Sequence, residues 1–416
     1  MAVVGGQGWD LLTRLRSMKK LQEAAGHAKT SARVRKILGI QEDPNLKVGI
    51  NGFGRLGRLV ARAIMETDGV DLIAINDPYV DAEYMAYMLQ HDEVHGPCRH
   101  TVEAPDRHTL IINGRQVTLM NTREPSKVDW RSGGARYIIE ASGRFTSAKA
   151  ARDHLYGGAE HVIIAAACTD VPQLLAGVNQ THYKGEAIVS GGSAAAHCLA
   201  LFIKVVEDAF GIALASASVL QVCSTQELQQ VCAGPAGENG LDWRSSTGGS
   251  KDVIPTVAEA VGAVRSMLPD LADNLFGAAF RVPAADGSAS VIDLTVELKT
   301  GADLEQIRAA VSAAASCEPM RGRLGFRDDD VDGSDFEADG RSAIFDGRAS
   351  MALSPTFVKL VVWYPGDWAY ARRLVELLLH MQATDRGAGV PHMQLPPGSP
   401  AGGGAADEEG EDGNVE

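Results

Sequence analysis

At 416 residues the chain exceeds a single typical core and predicts two folded domains with extra length at the ends. Its net charge of −14 excludes a nucleic-acid binder working by overall electrostatics, and no uninterrupted apolar run reaches the ~18 residues of a membrane-spanning helix, so no transmembrane segment is expected. The six cysteines form no C-x-x-C pair and fit neither a zinc site nor a disulfide framework, which predicts reduced thiols and no metal.

The first segment, residues 1–46, carries eight Lys or Arg against four Asp or Glu. Leu11, Leu15, Met18 and Ala25 recur at helical spacing among Arg14, Arg16, Lys19 and Lys20, the pattern of a basic amphipathic helix. Three readings stay open: an organelle-targeting peptide, an arm that docks on a protein partner or a membrane surface, and a solvated extension. Asp10 and Glu23 count against the first, so a cytoplasmic location is expected, with a mitochondrion or plastid as the alternative.

The body opens with an apolar strand at 47–51, a glycine turn and a helix reaching Ile64. A second strand, 70–76, ends at Asp77 and completes a βαβ unit. Further strands are expected at 109–113, 116–121, 136–140 and 161–165, then a long helix at 196–209. Extended stretches follow at 214–222, 276–283, 290–298 and 357–364, with helical patterns at 252–267, 303–316 and 367–382. This is an α/β pattern: a dinucleotide-binding domain, then an α+β domain whose sheet is mainly antiparallel. From about residue 384 to the end the chain is Pro, Gly, Ala and acid, and is expected to be disordered.

Gly52-Phe53-Gly54-Arg55-Leu56-Gly57 is G-x-G-x-x-G placed between a strand and a helix. Gly52 suits the tight turn, Gly54 lets a pyrophosphate approach the backbone, and Gly57 lets helix pack on strand. Asp77, 20 residues after Gly57, can accept from both ribose hydroxyls and would repel a 2′-phosphate, which favours NAD over NADP.

The run from Val48 to Arg58 resembles the opening of glyceraldehyde-3-phosphate dehydrogenases. So do Asn76-Asp77-Pro78, Glu83-Tyr84-Met85, Gly143-Arg144-Phe145-Thr146, Gly177-Val178-Asn179, Phe280-Arg281-Val282-Pro283, Val291-Ile292-Asp293-Leu294-Thr295 and His380-Met381. The resemblance covers about residues 47–383. It implies a Rossmann-type NAD-binding domain at 47–193, a catalytic-type domain with a large mixed sheet at 194–364, and a C-terminal helix at 365–383 packing back on the first domain. It also implies a homotetramer, or a hetero-oligomer with active relatives. Active members oxidise glyceraldehyde 3-phosphate with NAD and inorganic phosphate through a cysteine thiolate assisted by a histidine.

Carried onto this chain, the family's Ser-Cys-Thr-Thr-Asn-Cys run becomes Ser193-Ala194-Ala195-Ala196-His197-Cys198, so the nucleophile position holds Ala194. The base position falls on Leu220. Of the substrate-phosphate ligands, Ser193, Thr225 and Arg281 remain, while Cys223 and Ala195 replace threonines and Glu259 enters the second phosphate loop. Gly52, Gly54, Arg55, Leu56, Gly57, Asp77, Arg123 and Ser142 match the adenosine and pyrophosphate end of the cofactor site. At the nicotinamide end, Ala165 and Gly366 stand where polar residues belong. The expectation is a catalytically inactive relative with a scaffold or regulatory role and residual NAD binding. The alternative is a working NAD-dependent oxidoreductase, of the family's type or with an altered substrate. Cys198 is expected to be a packing thiol, and His91, His95 and His100 to bind no metal.

Overall fold

The computed structural model describes residues 45–92, 96–224, 252–284, 289–336 and 338–387. The N-terminal arm, His95, Thr225, Cys232, the loop from Gly234 to Trp243 and the tail beyond residue 387 lie outside the described residues. The described residues from Leu46 onward form one compact unit.

The first sheet has eight strands. They are β1 (Leu46–Asn51), β2 (Val70–Asn76), β3 (Val102–Asp106), β4 (Thr109–Ile112), β5 (Arg115–Met120), β6 (Tyr137–Glu140), β7 (His161–Ile164) and β8 (Ile188–Ser190), in the order β3-β4-β5-β2-β1-β6-β7-β8. The pairs from β5 through β8 are parallel, and only the β3-β4-β5 edge is antiparallel. Near-continuous apolar runs such as Tyr137–Glu140, buried at every residue, are what a parallel sheet covered on both faces requires. The chain order reverses between β2 and β6 on either side of β1, the place where a doubly wound sheet opens a ligand crevice.

The second sheet has seven strands. They are β9 (Ile212–Ser224), β10 (Ile254–Thr256), β11 (Leu275–Ala284), β12 (Ser290–Leu298), β13 (Leu324–Arg327), β14 (Ala343–Ala352) and β15 (Phe357–Tyr364), in the order β10-β11-β9-β12-β15-β14-β13. It is mixed: β11–β9 and β13–β14 are parallel, the other pairs antiparallel. One face alternates into the core, as the burial of β12 at every second residue shows. The other face leaves Leu214, Phe276, Met351 and Phe357 exposed.

Helix α1 (Arg55–Met65) follows β1, and α2 (Ala82–Gln90) follows β2 behind an Asp81 cap that accepts from Tyr84 N. Helix α3 (Ala194–Phe210) is capped by Ser193, whose hydroxyl accepts from Ala196 N, and packs along the inner face of the second sheet. Helices α4 (Glu259–Met267) and α5 (Leu304–Ser316) follow. Helix α6 (Gly366–Asp385) buries Tyr370, Leu374, Leu378 and Met381 in the core of the first sheet. Each such side chain contributes about 1.5–3 kcal/mol of burial, which ties the end of the chain to its beginning.

Two expectations are corrected. The pattern read as helix over 252–267 holds only from Glu259 to Met267; Ile254–Thr256 form a short strand, Ile254 pairing with Arg281 at the sheet edge. The last helix runs to Asp385 rather than 383, because the Asp385 carboxylate accepts from the Tyr137 and Tyr183 hydroxyls.

Candidate functional site

The carboxyl ends of β1 and β2 carry the glycine turn and Asp77. Gly52 has φ 92°, and a Cβ there would lie 2.6 Å from the Ser142 backbone, so only glycine fits. A Cβ on Gly57 would overlap the Gly52 carbonyl oxygen, and Gly57 is what lets α1 lie against the turn. The space over Gly54 is open, as an approaching pyrophosphate requires. The Asp77 carboxylate is 7 % exposed and accepts from Phe53 N at 2.8 Å and from Tyr79 N at 2.9 Å. Its orientation is therefore set by backbone before any ribose arrives. The Arg123 guanidinium lies 5.3 Å from the Tyr79 ring centre, and Arg144 donates to the Tyr79 hydroxyl at 3.1 Å. Ser142 donates to Glu140. These residues fit the adenosine and pyrophosphate part of a dinucleotide.

From Arg55 and Leu56 a cleft of about 440 Å³ runs between the two sheets to Arg281. Ala194, the first residue of α3, lines it and packs against both main cores. Ser193, Ala165, Gly366, Cys223, Glu259 and Arg281 line it as well, so the structure gathers the positions singled out from the sequence. Thr225 lies outside the described residues. Ala165, Ala194 and Gly366 present no polar side chain to the middle of the cleft.

Leu220, at the base position, does not itself line the cleft; its neighbours Val219, Gln221, Val222 and Cys223 do. Successive side chains of a strand point to opposite faces, and the pairing of β9 with β11 puts Gln221 beside Arg281 and Leu220 beside Phe280. Nearest the base position, the polar group β9 brings to the cleft is the Gln221 amide, which is no better a base than leucine.

Cys198 and His197 do not replace the missing pair. Cys198 is fully buried, its thiol pushed far up by desolvation, with the Trp363 carbonyl 3.9 Å away. His197 is a buried residue of α3, with Nδ1 3.1 Å from the Ser193 carbonyl, and desolvation pushes its pKa down to about 3. His91 and His100 contact Tyr87 and Asn113, and the described residues contain no cluster able to hold a metal.

Several contributors carry no motif. The Tyr370 hydroxyl donates to the Gly192 carbonyl at 2.7 Å, so α6 clamps the turn that starts α3. Asp367, also on α6, pairs with Arg55 at 3.2 Å across the cleft. Both partners are more than a third exposed, so the pair contributes at most about 1 kcal/mol.

The chain matches two family models. Residues 46–148 match "Glyceraldehyde 3-phosphate dehydrogenase, NAD binding domain" and residues 193–366 match "Glyceraldehyde 3-phosphate dehydrogenase, C-terminal domain". Among curated relatives, the cytosolic glyceraldehyde-3-phosphate dehydrogenase 3 of Oryza sativa is 42 % identical over 342 residues, 82 % of this chain and 99 % of the relative. The glyceraldehyde-3-phosphate dehydrogenase of Atriplex nummularia is 43 % identical over 341 residues, 82 % of this chain and 92 % of the relative. The chloroplastic glyceraldehyde-3-phosphate dehydrogenase GAPCP1 of Arabidopsis thaliana is 41 % identical over 336 residues, 80 % and 78 % of the two chains. With both domains matched and a dinucleotide crevice of the required form, the chain belongs to the glyceraldehyde-3-phosphate dehydrogenase family.

Proposed function

We propose that this chain is a catalytically silent member of the family that binds NAD chiefly through its adenosine half and acts as a scaffold or regulator. The observation that carries the reading is Ala194 at the start of α3, on the cleft wall, where a thiolate has to attack the aldehyde carbon. A methyl group forms no thioester. The facing strand offers Val219 and Gln221, which move no proton near neutral pH. Glu259 adds a carboxylate to a cleft whose active counterparts hold phosphates.

Gly52, Gly54, Arg55, Leu56, Gly57, Asp77, Arg123 and Ser142 would hold the adenosine and pyrophosphate. NAD supplies a hydride acceptor when bound, and the chain's own groups fix its orientation at Asp77 and the start of α1. Ser193 and Arg281 persist as remnants of a substrate-phosphate site. The domain division at 47–193, 194–364 and 365–383 belongs to the same reading.

Oligomerisation, with itself or with active relatives, is supported by the exposed apolar residues Leu214, Phe276, Met351 and Phe357 on the outer face of the second sheet. Within the described residues no helix is long and apolar enough to cross a membrane. The relatives' names include both cytosolic and chloroplastic proteins, so a cytoplasmic location with an organelle as alternative remains the proposal, with the basic arm as the segment that would decide it.

A second reading is a working NAD-dependent dehydrogenase. It is favoured by identity over nearly the full length of enzymes bearing that name, and by Cys223, a thiol on the cleft wall. One assay separates the two. Purified full-length chain is given glyceraldehyde 3-phosphate, NAD and phosphate, and NADH is followed at 340 nm. Turnover above trace, abolished by Cys223→Ser, establishes the second reading; its absence alongside measurable NAD binding supports the first.

A further inference from the structure

Four of the eight dinucleotide positions of the first domain stand one or two residues beyond a member of one buried hydrogen-bond network. Asn51 precedes Gly52, Asn76 precedes Asp77, Thr122 precedes Arg123, and Glu140 stands two before Ser142. Glu140 is the hub. Its Oε2 accepts from Asn51 Nδ2 at 2.5 Å and from His154 Nε2 at 2.8 Å. Its Oε1 accepts from Ser142 N at 2.8 Å and from the Ser142 hydroxyl. Asn51 Oδ1 in turn accepts from Asn76 Nδ2 at 2.7 Å. Asn76 donates to the Thr122 carbonyl and accepts from Thr122 N, both at 2.9 Å.

The donors are themselves oriented. Trp130 Nε1 donates to His154 Nδ1 at 3.1 Å, which leaves the ring proton on Nε2, facing Glu140. Glu140 is 2 % exposed and His154 is fully buried, so neither meets a ligand in the crevice. Four donors converge on the two oxygens. A carboxylate satisfies all four, whereas an amide would turn its own N–H groups against two of them.

We infer that Glu140 is a positioning residue for the dinucleotide. It ties the ends of β1, β2 and β6 and the turn after β5 into one rigid rim, and His154 and Trp130 brace it from beneath. The rim is what holds Asp77, the Gly52 turn, Arg123 and Ser142 at fixed separations. This role rests on the proposal above that the chain binds NAD.

The test is NADH titration of the full-length chain by fluorescence, at a temperature far below melting, with Tm recorded for each variant. Glu140→Gln is expected to weaken binding about tenfold, and His154→Leu to do the same. His154→Gln, whose amide N–H reaches toward the same oxygen, is expected to restore affinity to within about threefold of the parent. A residue that serves the fold alone lowers Tm and leaves Kd unchanged in protein that is still folded. Folded Glu140→Gln or His154→Leu with parental Kd therefore overturns the role, as does a His154→Gln that binds no better than His154→Leu. If Glu140→Gln does not fold, the His154 pair decides. A parent chain that binds no NADH removes the NAD-binding proposal and this role with it; a parent that binds, with variants that bind equally, removes only the role.

Discussion

The two ends of the cleft differ in what they offer a ligand. At the crevice end, backbone geometry and buried polar groups are complete: Gly52 pressed against Ser142, open space over Gly54, Asp77 fixed by two backbone donors. Toward α3 the walls include Ala165, Ala194, Val219 and Gly366, with Ser193, Gln221, Cys223, Glu259 and Arg281 as the polar side chains among them. The first end is built from residues the fold itself needs, since the glycines allow α1 to pack and the carboxylates hold strand ends together. On the proposal above, the second end has lost groups whose only task was chemistry, since side chains of that kind can be replaced by aliphatic ones without loss of packing.

Four measurements sharpen or break that contrast. Gly57→Ala has the largest expected effect, because a Cβ overlaps the Gly52 carbonyl; about 3 kcal/mol of stability and detectable NAD binding should both be lost, read by denaturant melts and calorimetry. Next is acid sensitivity at His197. Its folded pKa of about 3 lies below the ordinary 6.5, so the unfolded chain binds the extra proton between those values. Stability from this group is complete above pH 6.5 and is lost progressively as the pH falls toward 3. His197→Asn should flatten the stability–pH curve in that window, and an unchanged slope counts against the assignment.

Smaller still is the effect of Glu259→Gly, which removes a carboxylate from the cleft and should raise phosphate affinity about fivefold, roughly 1 kcal/mol. The smallest difference is between ligands. ADP-ribose and NAD should bind within about threefold of each other, since Ala165, Ala194 and Gly366 offer the carboxamide no side-chain partner. NAD binding many times tighter would mean the nicotinamide end is better furnished than its side chains indicate.

Much of this was legible in order along the chain. The glycine turn, the strand ending at Asp77, and the strands at 290–298 and 357–364 follow from periodicity and turn chemistry. Strands β3, β8, β13 and β14 gave weaker patterns: β8 is three residues long, and β14 carries a register irregularity between Asp346 and Met351 that spoils its alternation. In the site, Ala194 was read as the nucleophile position because the run Ser193–Cys198 resembles the family's Ser-Cys-Thr-Thr-Asn-Cys run. For Leu220, spacing along a strand does not say which side faces the cleft, and the cleft wall is formed by Val219, Gln221, Val222 and Cys223.

The sequence by itself determined the βαβ unit, the family, and the absence of a thiol at residue 194, because these depend on residues adjacent or one turn apart. Only the tertiary structure decided that Gln221 rather than Leu220 faces the cleft, that Glu140 collects Asn51, Ser142 and His154, and that Asp385 reaches Tyr137. The physical reason is range. Side-chain direction and hydrogen-bond partnership depend on strand pairing and helix packing between segments up to 248 residues apart, and no local pattern contains them.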